Sequence, residues 1–304
     1  MPRPMILDCD PGHDDAVALL LALGSPELDL LGVTVTHGNV ELHHTLRNAL
    51  SLRQFSGRSF PVVPGADRPL LRDAVHAGHV HGPSGLGDVA LPVPQEGPDP
   101  RRAAAFIADE ALANPGEVTL VAVGPLTNVA LALRLEPRLA GSLREIVLMG
   151  GSATDGNVTP AAEFNTFADP HAARIVFESG ARVTMFGLDT TRQVNVTGER
   201  ADDLRARAGR AGALAASFLD DYLMRLAGRS EAREGALHDP CAVAYLVRPD
   251  LFEVRPARVH VVTEEGAEFG RTVCTPDGDA GTFVASRADA DGLYDLLAER
   301  LARL

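Results

Sequence analysis

The sequence predicts an α/β fold, with a mostly parallel central sheet flanked by helices. Strand-like and helix-like runs alternate along most of the 304 residues. The strand-like runs are continuously apolar, which is typical of parallel strands that helices cover on both faces. Polar residues cluster where these strands should end, which is where open α/β sheets bind ligands. Without an internal repeat or a linker rich in Pro or Ser, we expect one domain over residues 1–304.

The elements are predicted from runs of apolar residues. Strands are expected over residues 6–9, 30–36, 118–123, 145–149 and 182–187. Helices are expected over residues 14–23, 42–55 and 170–178, the last beginning with a proline, which suits a first helical turn. Another helix is expected to follow the segment 124–128 and to end at about residue 135.

Two stretches break the alternation. Residues 56–100 are rich in Pro, Gly and His, and so long a loop in a domain is usually functional or disordered. Residues 198–238 are predicted to be mostly helical, with a charged, mobile section over residues 228–235.

The composition excludes several classes of protein. Acidic residues outnumber basic ones by 41 to 28, and a net charge of −13 repels nucleic acid and anionic membranes. Three cysteines without a CxxC spacing argue against a disulfide framework and a zinc ribbon, and fit a reducing cytoplasm. The first apolar run is interrupted by Asp8 and Asp10, so we expect no signal peptide, and the longest apolar runs are too short to span a membrane.

An acidic turn is the strongest functional signal. Asp8, Asp10, Asp14 and Asp15 lie between a predicted strand and the apolar run Ala16–Leu23. Carboxylates this close repel one another, and a hard divalent cation with oxygen ligands would relieve the repulsion. Helix capping explains one or two Asp residues at a helix start, but not four. An EF-hand is excluded by the position of its glycine and the missing final Glu.

Three other segments carry weaker signals. His238-Asp239-Pro240 could supply a general acid and a metal carboxylate, although it also reads as an ordinary helix start. The segment from Asn157 to Asn165, with Glu163, could bind sugar hydroxyls, although Asn is common in turns. Asn39 follows another strand end and has the same ambiguity.

Histidines in the long loop suggest zinc at first sight. His76, His79 and His81 lack partners with the spacing of a zinc site, so solvated loop histidines are the better interpretation. A contact between one of them and a substrate is the less favoured interpretation.

Taken together, these segments resemble the inosine-uridine nucleoside hydrolase family over nearly the whole chain. The motifs that carry the resemblance are Asp8-Cys9-Asp10-Pro11-Gly12-His13-Asp14-Asp15, His81-Gly82, Val123-Gly124-Pro125-Leu126-Thr127-Asn128, Met149-Gly150-Gly151, residues 157–165, and His238-Asp239-Pro240. The resemblance implies the Rossmann-like fold of that family, hydrolysis of ribonucleosides to free base and ribose, a cytoplasmic location, and a homo-oligomer, either a dimer or a tetramer.

The resemblance also implies roles for individual residues. Ca²⁺ would be held by the side chains of Asp10, Asp15 and Asp239 and by the backbone carbonyl of Val123. The ribose would be lined by Asp14, Asn39, Met149, Asn157, Glu163 and Asn165. His81 and His238 would lie near the base, and Tyr222 would close over it. Asp8 has no chemical role, and we expect it to brace the loop through hydrogen bonds.

The implied chemistry is physically reasonable. Cleavage of an N-glycosidic bond builds positive charge on the sugar, which an anionic site stabilises. Asp10 would take the proton of a water polarised by Ca²⁺. His238 would protonate the leaving base, since an unperturbed imidazole donates near neutral pH. Purine-specialised members of the family stack Trp on the base, and this chain has no Trp, so a pyrimidine-preferring or broad hydrolase is expected.

Two other functions remain open at this point. A magnesium-dependent phosphatase could use Asp8 and Asp10 as nucleophile and acid, but it would want a phosphate-binding Lys, and the chain has no Lys. A non-catalytic module could bind a nucleoside or ribose without releasing free base.

Overall fold

In this computed structural model, which describes residues 1–228 and 235–304, strands and helices alternate. The strands are β1 (Arg3–Cys9), β2 (Leu28–Val35), β3 (Val62–Pro64), β4 (Thr119–Ala122), β5 (Glu145–Met149), β6 (Val183–Phe186), β7 (Asn195–Val196), β8 (Gly235–Ala236), β9 (Phe252–Val261), β10 (Thr272–Pro276) and β11 (Thr282–Ala288). The helices are α1 (His13–Gly24), α2 (Leu42–Ser56), α3 (Gly78–His81), α4 (Ala103–Ala113), α5 (Thr127–Leu135), α6 (Leu139–Ser142), α7 (Phe164–Ala168), α8 (Pro170–Phe177), α9 (Leu188–Thr191), α10 (Gly198–Arg207), α11 (Gly209–Ala227), α12 (Pro240–Val247) and α13 (Ala290–Leu301).

A nine-stranded sheet runs in the order β10-β9-β11-β6-β5-β4-β1-β2-β3. The strands from β11 to β3 pair in parallel, and β9 pairs antiparallel with both β11 and β10. The chain winds outward in one direction through β2 and β3 and in the other through β4, β5 and β6. The strand order therefore reverses between β1 and β4, and such a switch point opens a crevice at the carboxyl ends of the strands.

Apolar side chains cover both faces of the sheet, as the continuously apolar strands predicted. One face packs against α1, α11, α12 and α13, with Leu19 and Phe218 fully buried. The other face packs against α4, α5 and α8, with Phe106 and Val129 fully buried. The predicted α/β fold with its mostly parallel sheet is confirmed.

Two predictions of local structure need correction. The helical stretch expected over residues 198–238 ends with α11, and residues 235–236 form β8, which pairs with β7. The loop over residues 56–100 contains β3 and α3. Residues 228–235 were expected to form a mobile section, and residues 229–234 lie outside the described residues. Within the described part of the chain, no helix combines the length and apolar composition that crossing a bilayer requires.

Candidate active site

A cavity of about 690 Å³ opens at the carboxyl ends of β1, β4 and β5, beside the switch point. Its volume is in the range of small-molecule sites. Every residue predicted for the site lines this cavity except Asp15, which is buried beside it. These lining residues are Asp10, Asp14, Asn39, His81, Val123, Met149, Asn157, Glu163, Asn165, Tyr222, His238 and Asp239.

Hydrogen bonds fix the turn between β1 and α1. The Asp15 carboxylate accepts from the backbone N–H groups of Asp10 at 3.0 Å and Gly12 at 2.9 Å. Asn39 donates its backbone N–H to Oδ2 of Asp10 at 2.6 Å and its side-chain amide to Asp15 at 3.0 Å. Asp15 therefore caps the start of α1, as the helix-capping interpretation of the acidic turn predicted. Asp10 is held with its carboxylate towards the cavity.

Carboxylates converge on one point of the cavity floor. Oxygen atoms of Asp14, Asp15 and Asp239 lie within 4.8 Å of one another. Asp239 precedes α12, yet its side chain makes no capping hydrogen bond to that helix. The structure therefore places Asp14, which was expected on the ribose alone, among the oxygen atoms able to hold a cation.

The electrostatics of this cluster favour a cation. Burial, followed by repulsion from Asp15, raises the pKa of Asp10 well above its usual value. Burial, together with Asp14, raises the pKa of Asp15 to about 7 and that of Asp239 well above its usual value. An all-oxygen donor set of buried, mutually repelling carboxylates suits a hard divalent ion, which would hold them ionised.

Asn165 organises the strand ends next to the carboxylates. Its side-chain amide donates to the carbonyl oxygens of Val123 at 2.8 Å and Met149 at 3.1 Å. A carbonyl oxygen has two lone pairs, so that of Val123 can still coordinate a cation. Asn165 therefore links the ends of β4 and β5 at the cavity wall.

Glu163 is a helix cap as well as a cavity residue. Its carboxylate accepts from the backbone N–H groups of Asn165 at 2.8 Å, Gly151 at 2.8 Å and Thr166 at 3.1 Å. Burial raises its pKa against these hydrogen bonds. Glu163 therefore caps α7 and also lines the cavity, so the two interpretations of the polar loop are compatible.

His238 faces the cavity from the segment before α12. Its Nδ1 lies 2.8 Å from the hydroxyl of Thr191, at the end of α9. Burial lowers the pKa of His238, and the negative charge of Asp14 opposes that shift. With Nδ1 anchored by Thr191, the ring can present its other nitrogen to a ligand.

His81 is buried, whereas the favoured interpretation of the loop histidines was that they are solvated. It ends the short helix α3 and stacks with Tyr222 at a centroid distance of 6.3 Å. Burial lowers its pKa to about 3. The less favoured interpretation, a loop histidine at the binding site, matches this placement, and His79 also lines the cavity.

Asp8 points away from the cavity. Its Oδ2 accepts from the Thr34 hydroxyl at 2.5 Å and from the Asn128 amide at 2.8 Å. Burial raises its pKa to about 7. It therefore braces β1 against β2 and α5, as expected.

Several residues at the site were not identified from the sequence. Gly38 and Gly124 press against Asp10, where an added Cβ would lie 2.1 and 2.4 Å from its carboxylate oxygens. The guanidinium of Arg192 donates to the carbonyl oxygen of Gly156 at 2.8 Å, next to Asn157. A glycine after a strand and an arginine after a short helix are common, so only their position in the fold identifies them.

Comparisons with known proteins find relatives over nearly the whole chain. The family model described as inosine-uridine preferring nucleoside hydrolase matches residues 5–295. The pyrimidine-specific ribonucleoside hydrolase RihA of Photobacterium profundum is 43% identical, with 99% of each chain aligned. The pyrimidine-specific ribonucleoside hydrolase RihB of Escherichia coli O157:H7 is 40% identical, over 98% of this chain and 96% of that one.

Solved structures are similar over the same length. The plant nucleoside hydrolase PpNRh1 superposes with a TM-score of 0.92 at 34% identity, covering 99% of both chains. A purine-preferring ribonucleoside hydrolase from Gardnerella vaginalis has a TM-score of 0.92 at 33% identity, covering 99% of this chain and 98% of that one. Since the family model spans nearly the whole sequence and the relatives align end to end, this chain belongs to the inosine-uridine preferring nucleoside hydrolase family.

Proposed function

We propose that this protein is a calcium-dependent ribonucleoside hydrolase that cleaves the N-glycosidic bond to give free base and ribose, with a pyrimidine-preferring or broad specificity. The observation that carries the proposal is the cluster of buried carboxylates on the floor of a nucleoside-sized cavity, with His238 in the same cavity. Membership of the family supports hydrolysis of ribonucleosides.

Four groups would hold the cation: the side chains of Asp10, Asp15 and Asp239 and the carbonyl oxygen of Val123. When bound, Ca²⁺ would lower the pKa of a water and orient the ribose hydroxyls. Asp14 lies close enough to Asp15 and Asp239 to share in this site.

Asp10 is the proposed general base. Its carboxylate lines the cavity and is held at Oδ2 by the backbone N–H of Asn39. It takes the proton of the attacking water, and the surrounding carboxylates stabilise the positive charge that develops on the ribose.

His238 is the proposed general acid. The Thr191 hydroxyl holds Nδ1, which leaves Nε2 for the departing base. Protonation lets the base leave as a neutral molecule rather than as an anion.

The remaining polar residues would bind the nucleoside. Those proposed to line the ribose are Asp14, Asn39, Met149, Asn157, Glu163 and Asn165, all of which line the cavity. His81 and Tyr222 stack on each other at the same cavity and would contact the base.

The preference for pyrimidines has two supports. The chain has no Trp, so it has no indole ring to stack on a purine base. The relatives RihA and RihB at 40% to 43% identity are named pyrimidine-specific, whereas the purine-preferring structural relative is 33% identical. A cytoplasmic location and a dimer or tetramer remain part of the proposal.

A reducing-sugar assay over ribo- and deoxyribonucleosides tests the proposal. We expect ribose from uridine, cytidine or inosine, loss of activity with chelator, and recovery with Ca²⁺. p-Nitrophenyl phosphate is the matched negative substrate, since its turnover would favour the phosphatase. Binding of nucleoside without release of sugar would instead favour a binding module.

A further inference from the structure

A buried chain of polar side chains lies behind the base end of the cavity, and two of its three residues have no role assigned above. It joins three separate elements: Asp221 on α11, His13 at the start of α1, and His81 on α3. Nε2 of His13 lies 3.0 Å from Oδ2 of Asp221, and Nδ1 of His13 lies 3.1 Å from Nδ1 of His81. The three residues are only 7%, 1% and 8% exposed.

The outer end of the chain is an ionised carboxylate. Burial works against ionisation of Asp221, but hydrogen bonds from Arg225 and from the backbone N–H of Asp88 lower its pKa overall. Gly87 makes room for it, since an added Cβ there would lie 1.9 Å from Oδ2, and its φ of +57° also favours glycine. The surroundings of Asp221 are therefore shaped to keep a charged carboxylate against His13.

The direction of the hydrogen bonds follows from this charge. A carboxylate only accepts, so it holds a proton on Nε2 of His13. Nδ1 of His81 accepts the backbone N–H of His13 at 3.3 Å, and the same atom lies 3.1 Å from Nδ1 of His13. His13 therefore holds His81 through both its backbone and its ring.

The inner end of the chain is His81 at the cavity. With Nδ1 turned towards His13, its Nε2 makes no hydrogen bond within residues 1–228 and 235–304 that would compete with a ligand. The Tyr222 ring lies 16° from parallel with the His81 ring and restricts its rotation.

We propose that Asp221, acting through His13, is a positioning residue that fixes the orientation and tautomer of His81 at the base end of the cavity. This inference rests on the proposed function, because it places the base at His81. It divides the two cavity histidines: His238 gives a proton to the base, and His81 forms a hydrogen bond with the base. The arrangement follows the logic by which a carboxylate orients a catalytic imidazole.

The test compares Asp221→Asn and Asp221→Ala with Asp220→Asn, a matched change of the exposed neighbouring carboxylate that pairs with Arg205. Each variant is assayed on uridine and on p-nitrophenyl riboside, which offers no base N–H and whose leaving group needs no proton. We expect kcat/KM for uridine to fall about 10- to 100-fold in both Asp221 variants, with a change within about threefold on p-nitrophenyl riboside. Asp220→Asn should behave as wild type on both substrates.

A second readout does not depend on activity. In protein labelled with ¹⁵N at histidine, nitrogen chemical shifts separate protonated from unprotonated ring nitrogens. Wild type should show His13 protonated at Nε2 and one tautomer of His81, and both Asp221 variants should lose this single pattern. Far-UV circular dichroism and thermal melting test whether the variants are folded. If Asp221→Ala is not folded, the test uses Asp221→Asn, which keeps the size of the side chain.

The outcomes separate the two proposals. Equal losses of activity on both substrates, no loss on either, or a wild-type His13 unprotonated at Nε2 overturns the positioning role. If wild type releases no sugar from any riboside, the proposed function fails, and the nitrogen shifts alone decide whether Asp221 sets the tautomers.

Discussion

The hydroxyl of Thr191 lies 2.8 Å from Nδ1 of His238 and joins the end of α9 to the segment that precedes α12. Thr191 is fully buried, so the contact does not compete with solvent. The same short helix carries Asp189, which accepts hydrogen bonds from Ala153 and Thr154. The single helical turn α9 therefore positions His238, the proposed acid. It also anchors the loop that contains Ala153 and Thr154, on the proposed sugar side of the cavity.

Replacing Thr191 with valine should weaken this anchoring without changing the packing volume. We expect kcat/KM for uridine to fall about fivefold, the rate equivalent of about 1 kcal/mol for one hydrogen bond. The rate on p-nitrophenyl riboside should stay unchanged. Steady-state kinetics on both substrates provide the check, and an equal fall on the two would mean that Thr191 supports the fold rather than the acid.

Removing the acid itself should have a larger effect with the same selectivity. His238→Ala should lower kcat on natural nucleosides by about 10²- to 10⁴-fold, the usual contribution of a positioned acid. p-Nitrophenyl riboside should lose far less, since its leaving group departs as an anion. Comparable losses on both substrates would remove His238 from the acid role.

Asp10→Asn should abolish nearly all turnover while ribosides still bind. The amide keeps the shape of the side chain but cannot take a proton from water. Single-turnover assays measure the chemical step, and calorimetry with a riboside measures binding. Hydrolysis by this variant at the wild-type rate would show that another group is the base.

Chelation should make stability depend on pH in a defined direction. Burial and Asp14 raise the pKa of Asp15 in the folded state to about 7. A raised carboxyl pKa contributes stability that is present below the pKa of the unfolded chain and is lost as pH rises through about 7. The chelated protein should therefore melt at a lower temperature at pH 8 than at pH 6.5, and Ca²⁺ should remove most of the difference. A chelated protein that melts equally at both pH values would contradict the carboxylate assignment.

His37 should contribute to acid sensitivity by the opposite route. Burial lowers its pKa to about 4, its Nε2 contacts the Thr127 hydroxyl at 3.1 Å, and its Nδ1 has no hydrogen-bond partner among the described residues. Because the folded-state pKa is depressed, its stabilising effect is present above about pH 6.5 and is lost as pH falls towards 4. Between pH 7.5 and 5.5 this loss is about 1 kcal/mol.

Urea denaturation at the two pH values measures that loss. His37→Gln should flatten the pH dependence by about that amount, whatever its effect on stability at pH 7.5. His260→Gln changes an exposed histidine and should leave the slope as in wild type. Equal slopes in wild type and His37→Gln would exclude His37 as the source.

The sequence was sufficient where one segment carries both the structure and the chemistry. The turn from Asp8 to Asp15 joins an apolar strand to an apolar helix, so its place at a strand end and its need for a cation could both be predicted. The strands β9 to β11 escaped prediction because their side chains alternate between buried and exposed at the sheet edge, which differs from the continuous apolar pattern of the central strands.

Residues whose roles depend on distant partners could not be found from the sequence. Asp221 lies in an amphipathic helix among other acidic residues, and only the fold brings it to His13. Thr191 ends the short helix α9 and Arg192 follows it, and neither belongs to a motif. Asp14 and Asp15 are neighbours in sequence, and only the position of Asp239 shows that both carboxylates can face one ion.

The carboxylate cluster has a consequence for how the chain folds. Asp10 follows the first strand, whereas Asp239 precedes α12, far along the sequence and after β6, so the proposed cation site exists only after these distant segments have come together. Contacts so distant in sequence form late and slowly. Cation binding should therefore report the last step of refolding, and Ca²⁺ should slow unfolding more than it speeds refolding.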